Sequence, residues 1–90
     1  MPGLEIYPGT KLSAHAAIQI ADRKIELDWL LAVLRAPEFV RDDPRRSGVK
    51  LAFGRVPEFG NRWLRVAYVE RAGGIVIVTA MYDRTAEKFR

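Results

Sequence analysis

One imidazole and eleven guanidiniums are the side chains on which this 90-residue chain could build polar chemistry. Histidine is the side chain that exchanges a proton near neutral pH, and His15 is the only one present. Arg23 follows eight residues later, about two helical turns, so a helix over this stretch would set imidazole and guanidinium on one face. Arg55, Arg62 and Arg65 fall within runs of alternating apolar residues, where an arginine needs either a partner or an open cleft. A row of such guanidiniums would hold phosphate through planar, bidentate forks. Trp63, between the last two, offers a face on which a nucleobase can stack. An imidazole acting as base or acid, with guanidiniums on the developing phosphate charge, is the equipment for metal-free scission of an RNA backbone. Each residue also has a purely structural role open to it. His15 can pack on a sheet and donate one hydrogen bond, Arg23 can pair with Asp22 or Glu26, and Trp63 can belong to the core.

The rest of the composition narrows the field. With no cysteine and a single histidine, disulfides, thiolate metal sites, cysteine nucleophiles and multi-histidine centres are excluded. Paired carboxylates for glycoside hydrolysis, a G-x-S-x-G elbow and Gly-rich phosphate loops are also missing, and nothing calls for a cofactor. At 49% hydrophobic and 29% charged residues, the chain reads as one ordinary globular domain spanning residues 1–90. No run approaches the roughly 18 to 20 apolar residues of a membrane span. The opening MPGLEIYPG has neither the basic nor the apolar part of a signal peptide, which points to the cytoplasm. Net charge is +4, but unevenly spread: residues 1–44 carry 5 basic and 7 acidic groups, and residues 45–90 carry 10 and 4. The basic half suits a polyanion.

These residues must be positioned by a small set of elements. Residues 1–10, with two prolines and two glycines, read as an extended, mobile lead-in. Ser13 is a good N-cap for a short helix from Ala14 to Arg23. Leu27, Leu30, Leu31 and Leu34 form the apolar stripe of a second helix, which must end before Pro37. A short strand is expected from Phe39 to Arg41, then a polar loop over Asp42-Asp43-Pro44-Arg45-Arg46-Ser47-Gly48. Val49 to Val56 alternates as a half-buried strand, and the runs 62–71 and 75–82 form a hairpin about Ala72-Gly73-Gly74. Strict alternation puts Val76, Val78 and Ala80 on one face of the last strand, opposite Ile77, Thr79 and Met81. Residues 83–90 read as a charged tail with one helical turn. The sum is an α+β fold with two antiparallel helices on one face of a three- to four-stranded antiparallel sheet. Its other face, with Trp63, Arg65 and Thr79, looks too polar for a second core.

The segments Ser13-Ala14-His15-Ala16 to Asp22-Arg23-Lys24-Ile25, Pro37, Arg62-Trp63-Leu64-Arg65-Val66 and Val78-Thr79-Ala80 resemble an uncharacterised bacterial domain family. That family reads S-x-H-A-x-x-R-M-x-E-R-x-I, then x-N-P, G-R-W-L-R-V and V-x-T-x-Y, and is grouped with the RelE, ParE and BrnT toxins. The family's helix arginine falls here on Gln19, and its small N-cap before the second helix on Glu26. The resemblance implies a RelE/BrnT-like domain of a toxin–antitoxin module, RNA-binding and in part endoribonucleolytic, with or without the ribosome. It also implies an acidic antitoxin partner; the alternative is a non-catalytic module of the same fold, whose Trp63 and Arg65 face docks a protein partner or a second copy of the chain. It places functional positions at Tyr82 and Arg84, beside catalytic roles for His15, Arg23 and Arg65 and RNA contacts from Arg55, Arg62 and Trp63.

Overall fold

The computed structural model describes the backbone of residues 4–7 and residues 9–90 in full. Strands β1 (Leu4–Tyr7) and β2 (Thr10–Leu12) come first, then helices α1 (Ala14–Asp22) and α2 (Leu27–Arg35). Strands β3 (Phe39–Asp42), β4 (Val49–Val56), β5 (Arg62–Arg71) and β6 (Gly74–Tyr82) complete one sheet in the order β1-β2-β6-β5-β4-β3. The fold is α+β as expected, but the sheet has six strands and is mixed, because β2 runs parallel to β6. The expected mobile lead-in is corrected to the extent that Leu4–Tyr7 and Thr10–Leu12 form strands. Residues 1–3 and 8 of it lie outside the described residues.

The glycines explain how these added strands dock. The Gly9 carbonyl accepts a 2.8 Å hydrogen bond from the Ile75 amide. A β-carbon on Gly74 would lie 1.9 Å from that same oxygen, so only glycine allows the turn before β2 to close on the β5–β6 hairpin.

Helix α1 starts where β2 stops. The Ser13 hydroxyl accepts from the Ala16 amide at 3.1 Å, the N-cap its side chain suits, while the Ser13 amide donates to the Ile77 carbonyl at 3.0 Å. Ala16 and Ile20 are buried and the helix rests on β6 and β2. It ends through Lys24, whose φ of 55° reverses the chain and sends Ile25 inward. Helix α2 rests on β4 and β5 and stops ahead of Pro37. Its buried stripe is Leu30 and Val33, flanked by Trp29 and Leu34, and Leu27 is 42% exposed, so the face is rotated from the expected leucine row. Val33 turns inward because Gly54 of β4 leaves room for it, with the Gly54 β-carbon position 3.1 Å from a Val33 methyl.

Both sheet faces are covered, which corrects the expectation of a single core. On the helix side, Ala52, Val56, Leu64, Val66, Ile77 and Ala80 meet Leu12, Ala16, Ile20, Ile25, Leu30 and Val33. On the other side, Val49, Leu51, Phe53, Trp63 and Ala67 gather with Ala86. Asp83 accepts from the Thr85 amide and hydroxyl at 2.8 and 2.7 Å, turning the chain back into a 3-10 turn, Ala86–Phe89. The expected charged tail is thus a lid, with Ala86 fully buried and the Phe89 ring 6.1 Å from Phe53. Phe39 stacks on Phe53 at 4.5 Å and meets Trp63 edge-on at 5.7 Å.

Alternation also breaks within β6. Ala67 pairs with Thr79 but Tyr68 pairs with Ile77, so Val78 is an extra residue in β6. The bulge sends Ile77 and Ala80 to the helix core together, while Val78 packs in the second core. Phe53 is predicted to count as much as Leu30. In chemical denaturation each change to alanine should lower stability by about 2 to 5 kcal/mol, whereas a Phe53→Ala loss within about 0.5 kcal/mol would mark the second face as mere surface.

Candidate functional site

The second core stops short of filling its side of the sheet. Between the β3–β4 loop and the C-terminal turn lies an open groove of about 610 Å³. Leu51, Phe53 and Ala67 line it from the sheet, joined by Arg41, Asp43, Pro44, Arg45 and Arg46 on one side and by Arg65, Thr79 and Phe89.

The loop is built around Asp43. Its carboxylate accepts from the Arg45 amide at 2.8 Å and from the Arg46 guanidinium at 2.9 Å. The Arg45 amide first, and the Arg46 guanidinium with it, hold that carboxyl below the usual aspartate range. This pinned turn leaves the Arg45 side chain without an ionic partner among the described residues. Arg41 lies over the Phe89 ring, 4.6 Å from its centre. Arg65 enters from β5, opposite Phe53 and Met81 in register. It pairs with Asp83 at 3.2 Å and its guanidinium also touches the Met81 sulfur. Four guanidiniums therefore meet two carboxylates, leaving a positive surplus over an apolar floor.

A polar chain runs from the groove to α1. The Thr79 hydroxyl donates to the Gln19 side-chain oxygen. The amide nitrogen of Gln19 lies 2.8 Å from Nε2 of His15, one helical turn away. His15 is exposed on the helix and is not packed on the sheet.

The other residues singled out from the sequence are dispersed. Arg23 caps the β6 backbone, donating to the Ala80 carbonyl at 2.7 Å beyond the reach of β2, so neither Asp22 nor Glu26 is its partner. Tyr82 is on the helix side, its ring 5.2 Å from Phe59 and its hydroxyl donating to the Lys24 carbonyl at 3.4 Å. Burial pushes its phenol above the usual tyrosine range, with Arg62 opposing the shift. Trp63 is 8% exposed and belongs to the second core, which removes it as a base-stacking platform. Arg84 is exposed in the turn after β6.

The expected row of Arg55, Arg62 and Arg65 does not form. Strand alternation puts Arg62 on the helix side, over the Phe59 ring at 4.6 Å. Arg55 shares the groove's face of the sheet but is committed to Glu38, with Nε and Nη2 donating to its two oxygens at 3.0 and 2.8 Å and the Arg55 amide adding a third bond. Its guanidinium also covers Trp63 at 5.1 Å. The groove residues that sequence reasoning missed are Arg41, Arg45, Arg46 and Phe89, while Thr79 was expected on this sheet face but given no role. The Arg45-Arg46 pair in a Pro- and Gly-containing loop was their one visible signal.

The Arg55 side-chain hydrogen bond holds the Glu38 carboxyl below its ordinary value of 4.5. A depressed folded-state value means stability that is present above pH 4.5 and lost as pH falls through the lower, folded-state value. Glu38→Gln is predicted to be less stable than the parent at neutral pH, with the gap closing as acid titrates Glu38. Denaturation series at several pH values read it directly, and a gap constant with pH would contradict the pairing.

Among the described residues, no helix is long and apolar enough to cross a membrane. No curated protein and no solved structure matches this chain. A family model described as a domain of unknown function, DUF4258, matches residues 12–82. The match runs from the end of β2 to the end of β6, and so takes in α1, the bulge and all of the groove's walls except Phe89. The stretch it covers includes the His15–Gln19–Thr79 chain and most of the second core, and on this match the chain belongs to the DUF4258 family.

Proposed function

We propose that this chain binds single-stranded RNA in the groove, as a basic toxin-like domain of the RelE/BrnT kind. The observation that carries the reading is the surplus of guanidinium over carboxylate around one apolar floor. Arg45, without an ionic partner among the described residues, is the first phosphate ligand, and Arg41, over the Phe89 ring, and Arg65, held by Asp83 and the Met81 sulfur, are the next. Phe89, 42% exposed at the rim, is the ring on which a base can stack in place of buried Trp63. An acidic antitoxin segment would cover the same charges.

In this reading metal-free scission rests on His15 as base or acid and Arg65 as the phosphate ligand. Tyr82 and Arg23 are occupied elsewhere. Ribosome dependence belongs to the same proposal. The rival reading, a protein-interaction module without catalysis, is favoured by one feature: β3 is an edge strand with Val40 44% exposed.

Salt separates the two. Affinity for an oligouridylate should fall linearly in log salt, by about 0.7 per phosphate neutralised, and Arg45→Ala should reduce that slope by about one such step. Arg55→Ala should leave RNA affinity alone and lower stability. A flat salt response would move the assignment to the interaction module. In a translating extract, new messenger ends that disappear with His15→Ala would establish cleavage, and no ends in any condition would limit the protein to binding.

A further inference from the structure

We propose that Gln19 is a positioning residue whose amide, anchored by Thr79, decides which ring nitrogen of His15 carries the proton. Its use in scission rests on the RNA reading above, but the proton arrangement is a property of the free protein.

A carboxamide has an accepting oxygen on one side and a donating NH2 on the other. The Gln19 oxygen is taken by the Thr79 hydroxyl, which can only donate to it. The NH2 is therefore the group facing Nε2 of His15 at 2.8 Å. Two donors cannot share that contact, so Nε2 must offer its lone pair, and the proton of the neutral ring sits on Nδ1. His15 and Gln19 are four residues apart on α1, on one face of the helix. Thr79 is 60 residues further on, brought there by the bulge in β6, and it lines the groove. The anchor is thus tertiary, and it begins where a ligand would lie.

The chain has a second self-consistent arrangement. If a phosphate oxygen in the groove accepts the hydrogen bond of the Thr79 hydroxyl, the Gln19 oxygen is released and the amide can turn. Thr79 then accepts from the NH2, and the Gln19 oxygen accepts a proton bond from Nε2–H of His15. Occupying the groove would move the ring proton from Nδ1 to Nε2 and leave Nδ1 as the basic atom. The choice between the two arrangements is a population shift driven by the ligand's differential contact with Thr79.

With one histidine in the chain, its two ring nitrogens can be observed without ambiguity. Long-range proton–nitrogen correlation spectra of 15N-labelled protein, at alkaline pH where imidazoles are neutral, separate protonated from unprotonated ring nitrogens. The parent should show Nε2 unprotonated. Gln19→Glu, which offers only acceptors, should reverse the two nitrogens. Thr79→Val should lose the preference and give the averaged shifts of a solvent-exposed ring, with the backbone spectrum otherwise intact. Averaged shifts in the parent, or no reversal in Gln19→Glu, would overturn the proposal. A saturating oligouridylate should move the proton to Nε2. Bound RNA with an unchanged ring would overturn the link to the groove. Failure of the RNA to bind would overturn the RNA reading alone, because the free-protein spectra already decide the role of Gln19.

Discussion

The extra residue that β6 inserts opposite Ala67 is the constraint on which the rest of this molecule turns. Ahead of it the strand must fit the β2 and β5 ladders, and beyond it the strand must offer Ala80 and Tyr82 to the helices. A regular strand cannot do both with this sequence, because strict alternation would aim Ile77 and Ala80 at opposite faces. The bulge resolves the conflict by letting Val78 and Thr79 leave on the same side. Val78 then seals the second core, and Thr79 is set at the groove with its hydroxyl toward α1. Packing on one face thereby places a polar group on the other.

Helix α1 depends on the same stretch of strand. Strand β2 reaches only as far as Ile77, and the β6 edge beyond it would carry an unsatisfied carbonyl at Ala80. Arg23 supplies the missing donor, so an arginine that the spacing offers to catalysis is used to hold helix to sheet. Gln19 and His15, one and two turns earlier, are left on the helix stripe that faces toward Thr79 or outward.

The availability of the arginines is set by their carboxylate neighbours. Glu38 binds Arg55 through three bonds and receives Arg90 as well at 3.7 Å, which closes the second core beside Trp63. Asp43 takes Arg46 and the Arg45 amide, shaping a loop whose Arg45 guanidinium has no ionic partner among the described residues. Asp83 both orients Arg65 and turns the chain into the lid. Three acids thus divide a basic surface into structural cations and a groove with charge to spare, which local sequence cannot reveal because each pairing except that of Asp43 spans many residues.

The sequence by itself determined most of the elements, though not β1 and β2, which fall in a stretch that reads as a lead-in. Ser13 could only be read as a cap, Pro37 as a stop, Ala72-Gly73-Gly74 as a turn, and the apolar periods gave both helices and four of the strands, since each signal acts within a few residues. It also determined the chemistry in stock: no thiols, one imidazole and a basic second half. Tertiary structure decided the rest. The parallel docking of β2, the rotated face of α2, the bulge at Val78 and the folding back of Ala86 and Phe89 all arise where distant segments compete to be buried. The face a residue takes in a sheet depends on register, and register is fixed by the sum of contacts with partner strands and covering helices. For that reason Arg62 and Arg65, three residues apart, end on opposite sides of the sheet, and the groove draws its charge from a loop instead.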